Sequence, residues 1–141
     1  MSVLYVETSA VLAWLLGEPA GAQVRRQVDS ADTVVTSVLT AVETARVLTR
    51  AEHDGTLRAR DARALRGMLR RATAGWIQME LTAGVRDRAT ASLPVEPVRT
   101  LDALHLASLL EFAEAFPDVA LLSLDRRVRE NAEEFGVPLL E

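Results

Sequence analysis

Four short runs in this chain are apolar or β-branched almost throughout, and helical spacing separates them. They are "VLYV" at 3–6, "TVVTS" at 33–37, "GWIQMEL" at 75–81 and "VALLSL" at 119–124. A strand with no polar face must be buried on both sides. Strands of this kind that alternate with helices build a parallel sheet covered on both faces. The expected fold is therefore α/β: three layers, α/β/α, around a central parallel sheet of four to five strands. The fifth strand would come from "VPLL" at 137–140. Helical periodicity predicts helices over 9–16, 20–29, 38–53, 57–72, 82–92, 100–116 and 126–135. Gly17, Gly55, Pro117 and Gly136 act as stops. "LPVEPVR" at 93–99, with two prolines, reads as an ordered loop.

A chain of 141 residues can bury roughly 70% of the surface its unfolded form exposes, so residues 1–141 are expected to form a single domain. With no cysteine, disulfides and thiolate metal sites are excluded, and any metal would be held by oxygen ligands or the two histidines. That favours hard ions such as Mg²⁺ or Mn²⁺. The amino-terminal apolar run is interrupted by Glu7, is too short to span a bilayer and has no basic segment before it. A soluble, cytoplasmic protein with no membrane association is expected. The net charge of −4 argues against general coating of nucleic acid, although all sixteen basic residues are arginine, a good phosphate ligand. The lysine-free usage is equally what genomic composition bias produces.

In parallel α/β sheets, ligands bind outside the carboxyl ends of the strands, where the strand order reverses. Glu7 follows the first strand directly, and Asp125 follows the fourth in "LLSLDRR". Two further acids interrupt apolar helices: Glu43 in "SVLTAVETARVL" and Asp102 in "RTLDALHLASLL". Each acid has a local explanation. Glu7 and Asp125 sit where helices start, and Asp102 lies two residues after a Thr100 cap. Glu43 could pair with Arg46 or Arg50. Four acids converging on one edge are not explained by stability, because like charges repel unless a cation neutralises them. The joint reading is a carboxylate cage for one or two divalent ions. Two ions roughly 4 Å apart can clamp both ends of an in-line phosphoryl displacement. His105, three residues after Asp102, is expected to support this site or the core rather than to react. No phosphate-binding glycine loop is present.

The succession "YVETSAVLAWLL", "SVLTAVETARVL", "RTLDALHLASLL" and "LLSLDRRVRENAEEFGVPLL" resembles the PIN domain, especially the VapC-type toxins of bacterial toxin–antitoxin pairs. The likeness runs over essentially the whole chain. It implies a Mg²⁺- or Mn²⁺-dependent endoribonuclease, usually a homodimer, blocked by a small cognate antitoxin that can send an arginine into the acidic site. Glu43, Asp102 and Asp125 fall on three of the family's acidic positions, Ser123 on its hydroxyl position, and Ser9 on a small polar position beside the first acid. The first acid departs from the pattern, being Glu7 where aspartate is typical. Its carboxylate reaches roughly 1.5 Å further, enough to disturb octahedral Mg²⁺. A cage adjusted to the longer side chain, a loss of activity, and a deliberate replacement of aspartate all fit this residue.

Two other functions stay open at this point. One is an interaction module with a weakened site; the other is a metal-dependent DNA nuclease. Residues 38–72 supply the expected partner surface, while Trp14, Leu15 and Leu16 are expected in the core.

Overall fold

A computed structural model describes residues 2–140; Met1 and Glu141 lie outside the described residues. Its elements run β1 (Val3–Val6), α1 (Thr8–Leu15), α2 (Gly21–Ser30), β2 (Thr33–Ser37), α3 (Val38–His53), α4 (Ala59–Thr73), β3 (Ile77–Met79), α5 (Ala83–Thr90), α6 (Thr100–Ala115), β4 (Ala120–Leu122) and α7 (Arg126–Glu134). The sheet order is β3-β2-β1-β4 and every pairing is parallel. The expected three-layer α/β/α architecture is therefore what the chain adopts.

Side-chain alternation along β1 divides the core. Leu4 and Val6 face a layer with Val11, Leu15, Val24 and Leu69, from α1, α2 and α4. Val3 and Tyr5 face the other layer, with Leu106, Leu109, Phe112 and Val128, from α6 and α7. From β1 the chain winds outward through β2 to β3 with helices on the first face. It then returns to the far side of β1 and lays α6 on the second face. Reversing the direction of winding changes the covered face, because parallel crossovers are right-handed. The switch point lies between β1 and β4.

Three expectations need correction. The third strand is only Ile77–Met79, since as an edge strand it pairs with β2 alone; Trp76 instead packs into the layer of α1, α2 and α4. "VPLL" is no strand but a single bridge from Leu139 to Leu121, where Pro138 has no amide hydrogen to give. Leu15 is in the core, but Leu16, at the end of α1, is 40% exposed. The 93–99 loop is ordered as expected. Asn131 from α7 brackets it, accepting from the Val95 amide at 2.9 Å and donating to the Val95 carbonyl at 3.0 Å. No described helix is long and apolar enough to cross a membrane.

Candidate functional site

Both strands at the switch point end in polar residues that hold on to each other. Glu7 is the N-cap of α1 and its Oε2 accepts from the Ser9 amide at 3.0 Å. Its Oε1 accepts from the Ser9 hydroxyl at 2.5 Å and from the Ser123 hydroxyl at 2.6 Å. Ser9 Oγ in turn accepts from the Leu124 amide at 2.8 Å, so the carboxyl ends of β1 and β4 are joined through side chains. Glu7 is only 4% exposed. The cap explanation is right for this residue, and it does not compete with a place in the site.

Asp125 caps α7 in the same way, accepting from the Val128 amide at 3.0 Å, while its own amide donates to Ser123 Oγ at 3.1 Å. Asp102 lies in the first turn of α6, with Arg99 rather than Thr100 at the N-cap; Thr100 is already helical and caps nothing. Asp102 and Asp125 line an open cleft of about 320 Å³, together with Pro97, Arg99, Arg126 and Arg127. Arg126 is held by Glu130, whereas Arg99 makes no ion pair among the described residues. A roomier cleft of about 550 Å³ opens at the opposite, amino-terminal edge of the sheet, against Ser2, Gln23, Arg26 and Asp118. It contains none of the four acids, and size alone does not make a reactive centre.

Glu43 sits in the second turn of α3. It does not pair with Arg46 or Arg50 but with His105 of α6, Oε1 to Nε2 at 2.5 Å, and accepts from the Thr8 hydroxyl at 2.8 Å. Helices α3 and α6 both start at the carboxyl edge of the sheet, which is why Glu43 in the second turn of α3 and Asp102 in the first turn of α6 reach the same region as Glu7 and Asp125.

The charges register on each other. Burial, then the negative charge of Asp125, Glu7 and Glu43, pushes the Asp102 carboxyl up to about 6. Burial also works to raise Glu43, but the hydrogen bond and charge of His105 and the Thr8 hydroxyl outweigh it, leaving that carboxyl below its ordinary value. The four acids thus share one electrostatic field. Among the described residues, no three acids or histidines stand close enough together to be a ready-made metal shell.

Sequence reasoning missed Tyr5 and Thr8 as members of this region. Tyr5 joins the network through a hydrogen bond between its hydroxyl and His105 Nδ1 at 2.8 Å, and Thr8 bridges α1 to Glu43. The signals were a lone tyrosine in an aliphatic strand and a hydroxyl directly after Glu7.

A parallel sheet with carboxylates at the ends of the two strands flanking its switch point defines a class, an α/β domain that gathers acids at the carboxyl edge of its sheet. The chain belongs to the PIN domain family, whose model matches residues 4–134. Among solved structures it is similar to Mycobacterium tuberculosis VapC20, described as a toxin that cleaves the sarcin–ricin loop. The TM-score is 0.66 at 18% identity, over 90% of this chain and 93% of that one. A comparison with curated proteins found no match.

Proposed function

We propose that this chain is a divalent-metal-dependent endoribonuclease of the VapC toxin type, acting as one domain over residues 1–141. The observation that carries the reading is the gathering of four acids at the switch point of a PIN-domain sheet, close enough that, beside burial, Asp125, Glu7 and Glu43 raise the Asp102 carboxyl. The likeness to VapC20 supports RNA as the substrate class and a cognate antitoxin as partner.

The chemistry of the donor set suits a hard divalent ion. The acids and the two serines offer only oxygen donors, the ligands that suit Mg²⁺ or Mn²⁺. A carboxyl raised by like charges is also what a cation would relieve. Glu7, Glu43, Asp102 and Asp125 would hold one or two ions, with Ser9 and Ser123 supporting Glu7. Bound there, the metal supplies Lewis-acid activation of water and neutralises charge on the phosphate. The protein does the rest. Arg99 on the cleft rim presents a multi-donor head that grips a phosphodiester without reading its base. The capped starts of α1 and α7 keep the acids at fixed positions, so little reorganisation is left for the reaction. A homodimer in the cytoplasm, with the antitoxin seated on the surface of α3 and α4, completes the reading.

Cleavage of RNA with Mg²⁺ and with Mn²⁺ tests it, comparing the chain with Asp102→Ala and with a DNA substrate. Metal-dependent RNA cleavage that Asp102→Ala abolishes is expected. Activity unchanged by that substitution sinks the mechanism, and preference for DNA replaces the substrate class. A second reading, an interaction module of the same fold with a weakened site, is favoured by one feature: both Glu7 oxygens are already taken by hydrogen bonds. Failure to take up Mn²⁺ would select it.

A further inference from the structure

A buried chain of polar groups runs from the central strand to the acid cluster. The Tyr5 hydroxyl lies 2.8 Å from His105 Nδ1, and His105 Nε2 lies 2.5 Å from Glu43 Oε1. Tyr5 and His105 are buried. The far end is also tied, since Thr8 donates to Glu43 Oε1 at 2.8 Å.

The protons can be placed. A carboxylate oxygen only accepts, so the hydrogen between Glu43 and His105 is on Nε2. With that one hydrogen on the ring, Nδ1 is bare and accepts from Tyr5; a doubly protonated ring donates to the Tyr5 oxygen instead, and Nε2–H points at Glu43 in both states. A bare ring nitrogen has no hydrogen to offer, so in the neutral state the phenol is the donor across the 2.8 Å contact. Glu43 Oε1 thus receives two donors, from Nε2 and Thr8, and Oε2 receives none among the described residues. This contrasts with Glu7, where both oxygens are engaged. Apolar side chains of the same shape would fill the space of Tyr5 and His105 at little or no loss, since replacing both partners of a buried hydrogen bond can be nearly neutral. What they would lack is any hold on Glu43.

We propose that Tyr5, His105 and Thr8 form a positioning relay that pins Glu43 by Oε1 and so presents Oε2 alone to the divalent cation. The inference rests on the metal-site reading above and adds the orientation of one ligand. His105 and Tyr5 touch neither RNA nor metal in this account; they act through Glu43. The relay also ties α6 to α1 and α3, so Asp102 and Glu43 are held by the same buried ring.

Mn²⁺ binding, read from the spectrum of the free ion by electron paramagnetic resonance without RNA, tests the relay on the full chain. The variants are Glu43→Gln, His105→Leu, His105→Gln and Tyr5→Phe, each checked for a cooperative thermal transition. His105→Leu is expected to weaken Mn²⁺ binding about tenfold or more, the usual effect of removing an outer-shell partner. His105→Gln, whose amide can still donate to Glu43, recovers part of that loss, and Tyr5→Phe gives a smaller one. In cleavage assays kcat falls while KM for RNA holds. If His105→Leu does not fold, Tyr5→Phe, which removes one hydroxyl, decides. Wild-type Mn²⁺ affinity in folded His105→Leu or, failing that, in Tyr5→Phe overturns the relay while Glu43→Gln weakens binding. If the unmodified chain takes up no Mn²⁺, or if Glu43→Gln binds as well as it does, the ligand set itself falls and the relay with it.

Discussion

Every lone-pair direction that Glu7 turns toward the protein is in use: Oε2 toward the Ser9 amide, Oε1 toward two serine hydroxyls. A glutamate this well satisfied is a good helix cap and a reluctant ligand. Glu7→Asp draws the carboxylate back by roughly 1.5 Å and keeps a residue that caps well. Folding stability by urea titration should stay within about 1 kcal/mol of the parent. Metal-dependent RNA cleavage should rise on the order of tenfold to a hundredfold, the scale that about 1 Å of misplacement costs. Asp102 gives the opposite trade. Its folded carboxyl titrates at about 6, above the ordinary 3.8. Between those values the folded chain binds more protons than the unfolded one, so this residue's contribution to stability falls as pH rises through that window. Glu43, held low, contributes with the reverse sign and loses its contribution as the medium turns acid. Without divalent ions, Asp102→Asn should melt a few degrees higher than the parent at pH 7, with the gap closing toward pH 4, and should cleave no RNA. Melting scans across pH check the first part and a cleavage assay the second.

At the level of elements, α7 separates capping from chemistry. Asp125→Ala removes the acceptor for the Val128 amide and should cost about 1 kcal/mol. Asp125→Ser keeps an acceptor and should cost little. Both should be inactive, and denaturant melts beside cleavage assays distinguish the two roles. Most helices were legible because their apolar spacing and stops are local properties. The start of α1 at Thr8 and not Ser9 follows from Glu7 itself taking the cap. The strand at 75–81 was read too long because apolar content does not say which strand lies at an edge; only Ile77–Met79 finds a partner. The bridge at Leu139 shows the same limit, since pairing depends on register and not on composition.

For the whole molecule, a ligand that binds only the folded state must stabilise it. At a hundred times its dissociation constant, Mn²⁺ should add about 2.7 kcal/mol to unfolding, and a chelator should remove it. A melting temperature indifferent to both contradicts the metal site. The four acids could be found from sequence because each breaks an apolar run. The Tyr5–His105–Glu43 chain could not, because its members are 100 and 62 positions apart and a tyrosine in a strand looks like ordinary core. The site's wide spread along the chain has a consequence for how the protein comes into being. Ser123 reaches back 116 positions to grip Glu7, and the last acid arrives with α7. Contacts so far apart in sequence form late in folding. A growing polypeptide on the ribosome therefore carries Glu7 and Glu43 long before it has Asp102 and Asp125. On the function proposed above, a product of interrupted translation would leave RNA intact, and cleavage would begin only when nearly all of this fold has been made.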